Sequence, residues 1–154
     1  MPGYLPASSI VRGQSAVDLL DLTGRVLSIP LRDIKTISYV RDFNLSDNVN
    51  PERLSRRIFL ARPRSEGLWV RLLFRGGEVL EGLAPTDLSL LDSIQNDAGL
   101  HLVPPDTRTN TQRIFVPRSA IVDLQLLAVI TTPSRKRPAA GTGDASRPVQ
   151  TELF

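Results

Sequence analysis

Cysteine is absent from this chain of 154 residues, and histidine occurs once, at His101. The first absence excludes disulfides and thiolate metal sites and fits a reducing compartment. With a single histidine as well, a zinc site is excluded in its ordinary forms, and no metal or cofactor is expected. No segment approaches the eighteen or so apolar residues of a membrane span. The N-terminus has no charged region leading into an apolar stretch, so no secretory signal is read, and a cytoplasmic protein without a membrane partner is expected. Aromatics number one Trp, two Tyr and five Phe. Neither sign of charge dominates: 19 Lys+Arg face 16 Asp+Glu, for a net charge of +3. Basic character is local, in Arg53, Arg56, Arg57, Arg62 and Arg64 and again in Arg135-Lys136-Arg137. With 41% hydrophobic and 23% charged residues the balance is globular, enough for one domain or two very small ones.

What the chain does have is an internal echo. Val17-Asp-Leu-Leu-Asp-Leu-Thr-Gly-Arg-Val-Leu27 aligns with Val70-Arg-Leu-Leu-Phe-Arg-Gly-Gly-Glu-Val-Leu80 at an offset of 53, with six of eleven residues identical. Ile29-Pro30 with Ile34, Ile37 and Val40 matches Val116-Pro117 with Ile121, Leu124 and Leu127 at an offset of 87. The second unit therefore holds 34 more residues than the first, the difference between the offsets. Such self-similarity points to two related β-units.

The alternation of side chains supports that reading. Residues 17–22 and 25–29 form a hairpin with Gly24 at the turn, and Thr36–Arg41 is a strand. Residues 69–83 give a hairpin in which Gly76-Gly77 is a two-residue primed turn. Residues 57–61, 88–91, 99–103, 113–116 and 121–130 are further strand candidates. Asn50-Pro51-Glu52 carries the signals of a helix start, for a helix of one to two turns. Residues 1–15 read as a loose lead-in. From Thr131 the sequence has almost nothing to bury, so 131–154 reads as a disordered basic tail. The expected fold is all-β. Two related small β-units, 17–41 and 69–130, build one domain over 16–130 with small-barrel character.

No catalytic constellation assembles. His101 lies between Leu100 and Leu102, where an outward or hydrogen-bonded strand histidine is the ordinary reading, and nothing marks Ser89 or Ser119 as activated. Asp18 and Asp21 point to opposite faces of a strand, as do Glu78 and Glu81, and both pairs read as solvated positions. Gly76-Gly77 lacks the surroundings of a phosphate loop. A non-enzymatic protein is expected. Two polar loops are the candidate binding segments: Val40–Asn44, with Arg41 and Asp42, and Pro105–Arg113, with Asp106, Arg108, Asn110 and Arg113. Turn-forming hydrogen bonds and local ion pairs are the competing use of the same residues.

These two segments also carry a resemblance. Leu31–Phe43, the hairpin Val70–Gly82 and Pro104–Ile121 look like an uncharacterised bacterial domain of unknown function, over about residues 17–130. The resemblance implies a bacterial, non-enzymatic role without naming a ligand. The hairpin followed by Val116–Leu127 is similar to Sm-like and SH3-like small barrels, several of which bind RNA. Nucleic-acid binding would call for stacking aromatics and a basic groove, whereas Trp69, Phe74 and Phe115 lie in strand patterns. Arg53-Leu-Ser-Arg-Arg57 resembles the R-x-x-x-R motif of the cyclic-dinucleotide-binding PilZ barrel. Asp87-Leu-Ser89-Leu-Leu-Asp92 matches the second PilZ motif except at Asp92, where that family has Gly. The last five residues resemble the peptide by which replication proteins dock on the bacterial sliding clamp, with Gln150, Leu153 and Phe154 as its anchors and 131–149 as a tether. A protein-interaction adaptor is the leading reading. A nucleic-acid-binding barrel and a cyclic-dinucleotide receptor are the alternatives.

Overall fold

The computed structural model describes residues 1–6, 14–43, 45, 55–86, 99–106 and 110–131. They form nine strands: β1 Gly3–Tyr4, β2 Ala16–Asp21, β3 Val26–Pro30, β4 Ile37–Val40, β5 Gly67–Phe74, β6 Val79–Ala84, β7 Gly99–Leu102, β8 Thr111–Pro117 and β9 Ile121–Ile130. The fold is all-β. Three antiparallel sheets have the strand orders β1-β2-β3, β4-β8-β7 and β6-β5-β9. Among the described residues no helix is long and apolar enough to cross a membrane.

The middle sheet is apolar on both faces, and this organises the core. On one face, Leu100, Leu102 and Val116 pack with Val70, Leu72, Phe74, Leu80 and Ala84 of the third sheet, flanked by Ile114. On the other, Phe115 packs with Val17 and Leu31, flanked by Leu5, Ile34, Ile37 and Tyr39. Adjacent β8 residues thus enter different cores, as the two-residue strand period requires. Each such fully buried side chain contributes roughly 1.5–3 kcal/mol of burial. The second and third sheets are tied where Leu83 and Val103 exchange backbone hydrogen bonds of 3.0 and 2.9 Å. The sheets do not close into a barrel: among the described residues β4 and β9 each keep one edge without a strand partner.

The matched sequence patterns fold alike locally. In the first hairpin the Asp21 N–H donates to the Arg25 carbonyl and Gly24 to Asp21, with Gly24 at φ 84°. In the second, Phe74 donates to Glu78 and Gly77 to Phe74, with Gly77 at φ 80°. These are three-residue loops closed by a left-handed glycine. The two-residue turn expected at Gly76-Gly77 is therefore replaced by a loop of Arg75, Gly76 and Gly77. Pro30 (φ −59°, ψ 134°) and Pro117 (φ −59°, ψ 141°) each lead into a 3-10 turn, Leu31–Asp33 and Arg118–Ala120. The strands that follow have different partners, however: β4 pairs with β8, and β9 pairs with β5.

Other expectations change. Gly3 and Tyr4, placed in a loose lead-in, pair with Asp21 and Leu20. Residues 57–61 form no strand, although the Arg57 carbonyl accepts from the Glu81 N–H at 2.7 Å. The strand expected at 88–91 and the helix start at Asn50–Glu52 lie outside the described residues, as do residues 132–154.

Candidate functional site

A cleft opens between the middle sheet and the tip of the β5–β6 hairpin, with a volume of about 160 Å³. Its floor is Phe74, Leu80 and Ile114, which belong to or flank the main core. Lys35, Thr36 and Ser38 line one side from β4 and its approach, and Ser55, Arg56 and Arg57 line another. Pro104, Asp106 and Thr111 complete the wall. Three cationic and four hydroxyl-bearing residues thus line the cleft around an apolar floor. The Lys35 ammonium bonds the Glu78 carboxylate and lies 5.2 Å from the centre of the Phe74 ring. That bond holds Glu78 below the ordinary carboxylate range, against the opposing effect of partial desolvation.

Glu81 fixes the arginine side of the cleft. Its carboxylate, 2% exposed, accepts from the Phe59 backbone N–H at 3.0 Å, the Trp69 indole N–H at 3.1 Å, and Arg71 Nε and Nη2 at 3.0 and 2.7 Å. Burial alone would raise its pKa. The bonds from Phe59, Arg71 and Trp69 together outweigh that and hold it below the ordinary value. Phe59 also meets the Trp69 ring edge-on at 5.7 Å. With the Arg57 carbonyl bonded to the Glu81 amide, segment 57–59 is tied to β6 at two points and to β5 at a third. Glu81 was expected to be solvated. The three-residue loop sets Glu81 directly opposite Arg71, and what overturns that expectation is the cover on this face, where the Phe59 amide and the Trp69 indole close on the carboxylate. Asp21 is likewise a turn residue: it accepts from the Arg25 and Thr23 amides and the Thr23 hydroxyl, which lower its pKa.

The two candidate loops meet. Asn110 Nδ2 donates to the Asp42 carbonyl at 2.6 Å, its Oδ1 accepts from the Asp42 amide at 3.0 Å, and its own carbonyl accepts from the Arg41 amide at 3.1 Å. Asn110 and Asp42 are thus a clamp between loops 68 positions apart. The Arg113 guanidinium lies 4.6 Å from the Tyr39 ring centre. Burial raises the Tyr39 pKa, with Arg113 opposing. Of this group Asp106 alone lines the cleft, and it already has a partner within the protein. Arg108, Gln150, Leu153 and Phe154 lie outside the described residues, as do Arg53, Asp87, Ser89 and Asp92 of the PilZ-like motifs. His101 packs between Phe115, at 4.9 Å, and Tyr39, at 6.2 Å. Among the described residues no three His, Cys, Asp or Glu side chains converge.

A second surface is the outer edge of β9. Its ten residues include one charge, Asp123. The register to β5 slips twice, leaving Val122 and Leu127 as extra residues. Val122, Leu126 and Val129 are more than half exposed, and Leu127 joins them. The outer edge of β6, in contrast, is occupied by Arg57 and Val103.

Compared with known proteins, residues 1–128 match the model of a family of unknown function, DUF6982. No curated protein and no solved structure matches.

Proposed function

The chain belongs to this family of unknown function, and we propose that it is a non-catalytic interaction module that docks a protein partner along β9. The observation that carries this reading is the edge itself. A ten-residue strand with one charge and four exposed apolar side chains offers an edge that has no strand partner among the described residues, and apolar contact with it. Natural edges of this length are usually blunted by lysine, proline or a covering loop. The bulges twist β9, but they add apolar surface instead of charge. The terminal peptide Gln150, Leu153 and Phe154 is a second contact in this reading, directed at the bacterial sliding clamp. The absence of catalysis is supported by the use of polar groups elsewhere: Ser119 donates to the Leu31 carbonyl, and His101 is packed by rings. The nucleic-acid reading has less support, because Phe74 and Phe115 are buried and Trp69 is held by Glu81 and Phe59.

The test is capture from a bacterial lysate with the wild-type chain, with Leu126→Lys plus Val129→Lys, and with Phe154→Ala. The edge double variant is expected to lose partners that the wild type retains, with its melting temperature unchanged. The Phe154→Ala variant is expected to lose only the sliding clamp from the captured set. An identical set of partners for all three chains would refute the reading.

A further inference from the structure

We propose that the cleft above Phe74, Leu80 and Ile114 is a binding site for a phosphate monoester group, grasped by Arg56 and Arg57 with the hydroxyls of Ser38 and Ser55. The site is separate from the β9 edge, and neither reading depends on the other.

The argument starts from charge. Lys35, Arg56 and Arg57 line the cleft against one carboxylate, Asp106, which is already engaged within the protein. Glu78 stands at the rim, held by Lys35. Arg56 and Arg57 make no ion pair among the described residues, although Arg57 adds to the attraction that lowers the Glu78 pKa. Two guanidinium forks with neighbouring hydroxyls present the donors that the oxygens of a phosphate accept, in a geometry an ammonium does not reproduce. The apolar floor keeps water from one side of the ligand, which strengthens each charge-assisted bond.

Size selects the kind of phosphate. At about 160 Å³ the cleft is below the ordinary range of ligand pockets, roughly 300–1,000 Å³. It accommodates a phosphoryl group and the first atoms that carry it, with the rest of the molecule in solvent. A cyclic dinucleotide is too large to be enclosed. A nucleic-acid strand must enter and leave each phosphate contact, which calls for an open groove. A terminal phosphate has neither requirement and brings nearly two negative charges to two arginines.

Position supplies the last element. Segment 57–59 is fastened to β6 through the buried Glu81 carboxylate and the Glu81 amide, and to β5 through the Trp69 ring. The backbone at Arg57, next to Arg56, is therefore fastened before any ligand arrives, and less ordering entropy is lost on binding.

The experiment is a titration of the full chain, followed by backbone amide NMR shifts, with O-phosphoserine, inorganic phosphate and sulfate at matched ionic strength. O-phosphoserine is expected to saturate shifts at Ser38, Ser55, Arg56 and Arg57. Arg56→Ala and Arg57→Ala are each expected to weaken it about tenfold or more, the loss of a charge-assisted bond, with unchanged melting temperature because both side chains are exposed. Binding of O-phosphoserine should tighten between about pH 5 and about pH 7.5 as its second proton leaves, whereas sulfate should show no such change. Inorganic phosphate binding as tightly as O-phosphoserine identifies the free anion as the ligand, and weaker binding identifies the ester. No saturable shift, shifts unaffected by both substitutions, or a short single-stranded oligonucleotide binding as tightly as O-phosphoserine would overturn the proposal.

Discussion

Glu81 shows how much one side chain carries in a small β-protein. Replacing it by Gln keeps the size and one carbonyl oxygen but withdraws a charge from Arg71 and, with that oxygen kept toward Arg71, the one acceptor that the Phe59 and Trp69 donors share. The expected loss is about 2 kcal/mol, the scale of a buried donor left short of a partner. Denaturant unfolding measures it. Trp69 is the sole tryptophan, so a red shift of its emission should accompany the loss. The sign with pH follows from the folded pKa lying below the ordinary value of 4.5. The stabilising effect is complete above about pH 5 and fades as pH falls through the folded value. The gap between wild type and Glu81→Gln should therefore narrow in acid, and a gap that widened there would show that the carboxylate is not the acceptor. None of this was legible in the sequence. With a two-residue turn at Gly76-Gly77, Glu81 falls opposite Leu72. One more loop residue moves it opposite Arg71, and the sequence does not distinguish these loops.

At the scale of elements the sequence was more informative. The alternation at Val70, Leu72 and Phe74, the strand over Ile37–Val40 and the long apolar run of β9 each reflect a strand that buries one or both faces. What alternation cannot show is pairing across distance. Asn110 and Asp42 were candidate ligand residues. The Asn110 side chain bonds the Asp42 backbone, across a separation that leaves no local signal. The bulges of β9 were hidden for another reason: Val122 and Leu127 are themselves apolar and leave the run unbroken. The matched hairpins give a paired prediction. Gly24 and Gly77 share a left-handed φ, and a Cβ at either would meet nothing within 4 Å. Gly24→Ala and Gly77→Ala should each cost about 1–2 kcal/mol by backbone strain alone. Thermal or chemical unfolding of the two variants should give similar values. A large inequality would mean that one loop relaxes into another turn.

For the whole molecule the middle sheet is decisive, because β8 sends Phe115 into one core and Val116 into the other. Both cores are expected to melt in one transition. Leu72→Ala in the main core should lower stability by about 2–5 kcal/mol, and Val17→Ala in the smaller core by less. Calorimetry should show a single peak for both variants. A split peak for Val17→Ala would make the first sheet an independent unit. The order of the third sheet has a further consequence, in time. β5 meets β6 at once through a tight hairpin, but its other neighbour begins 47 positions later, from Phe74 to Ile121. At a synthesis rate of about 5–20 residues per second, that flank of β5 stays bare on the nascent chain for roughly 2–10 s. The ribosome thus releases a sheet with one side unfinished, and chaperone demand should peak in that interval and subside once Ile121–Ile130 has emerged.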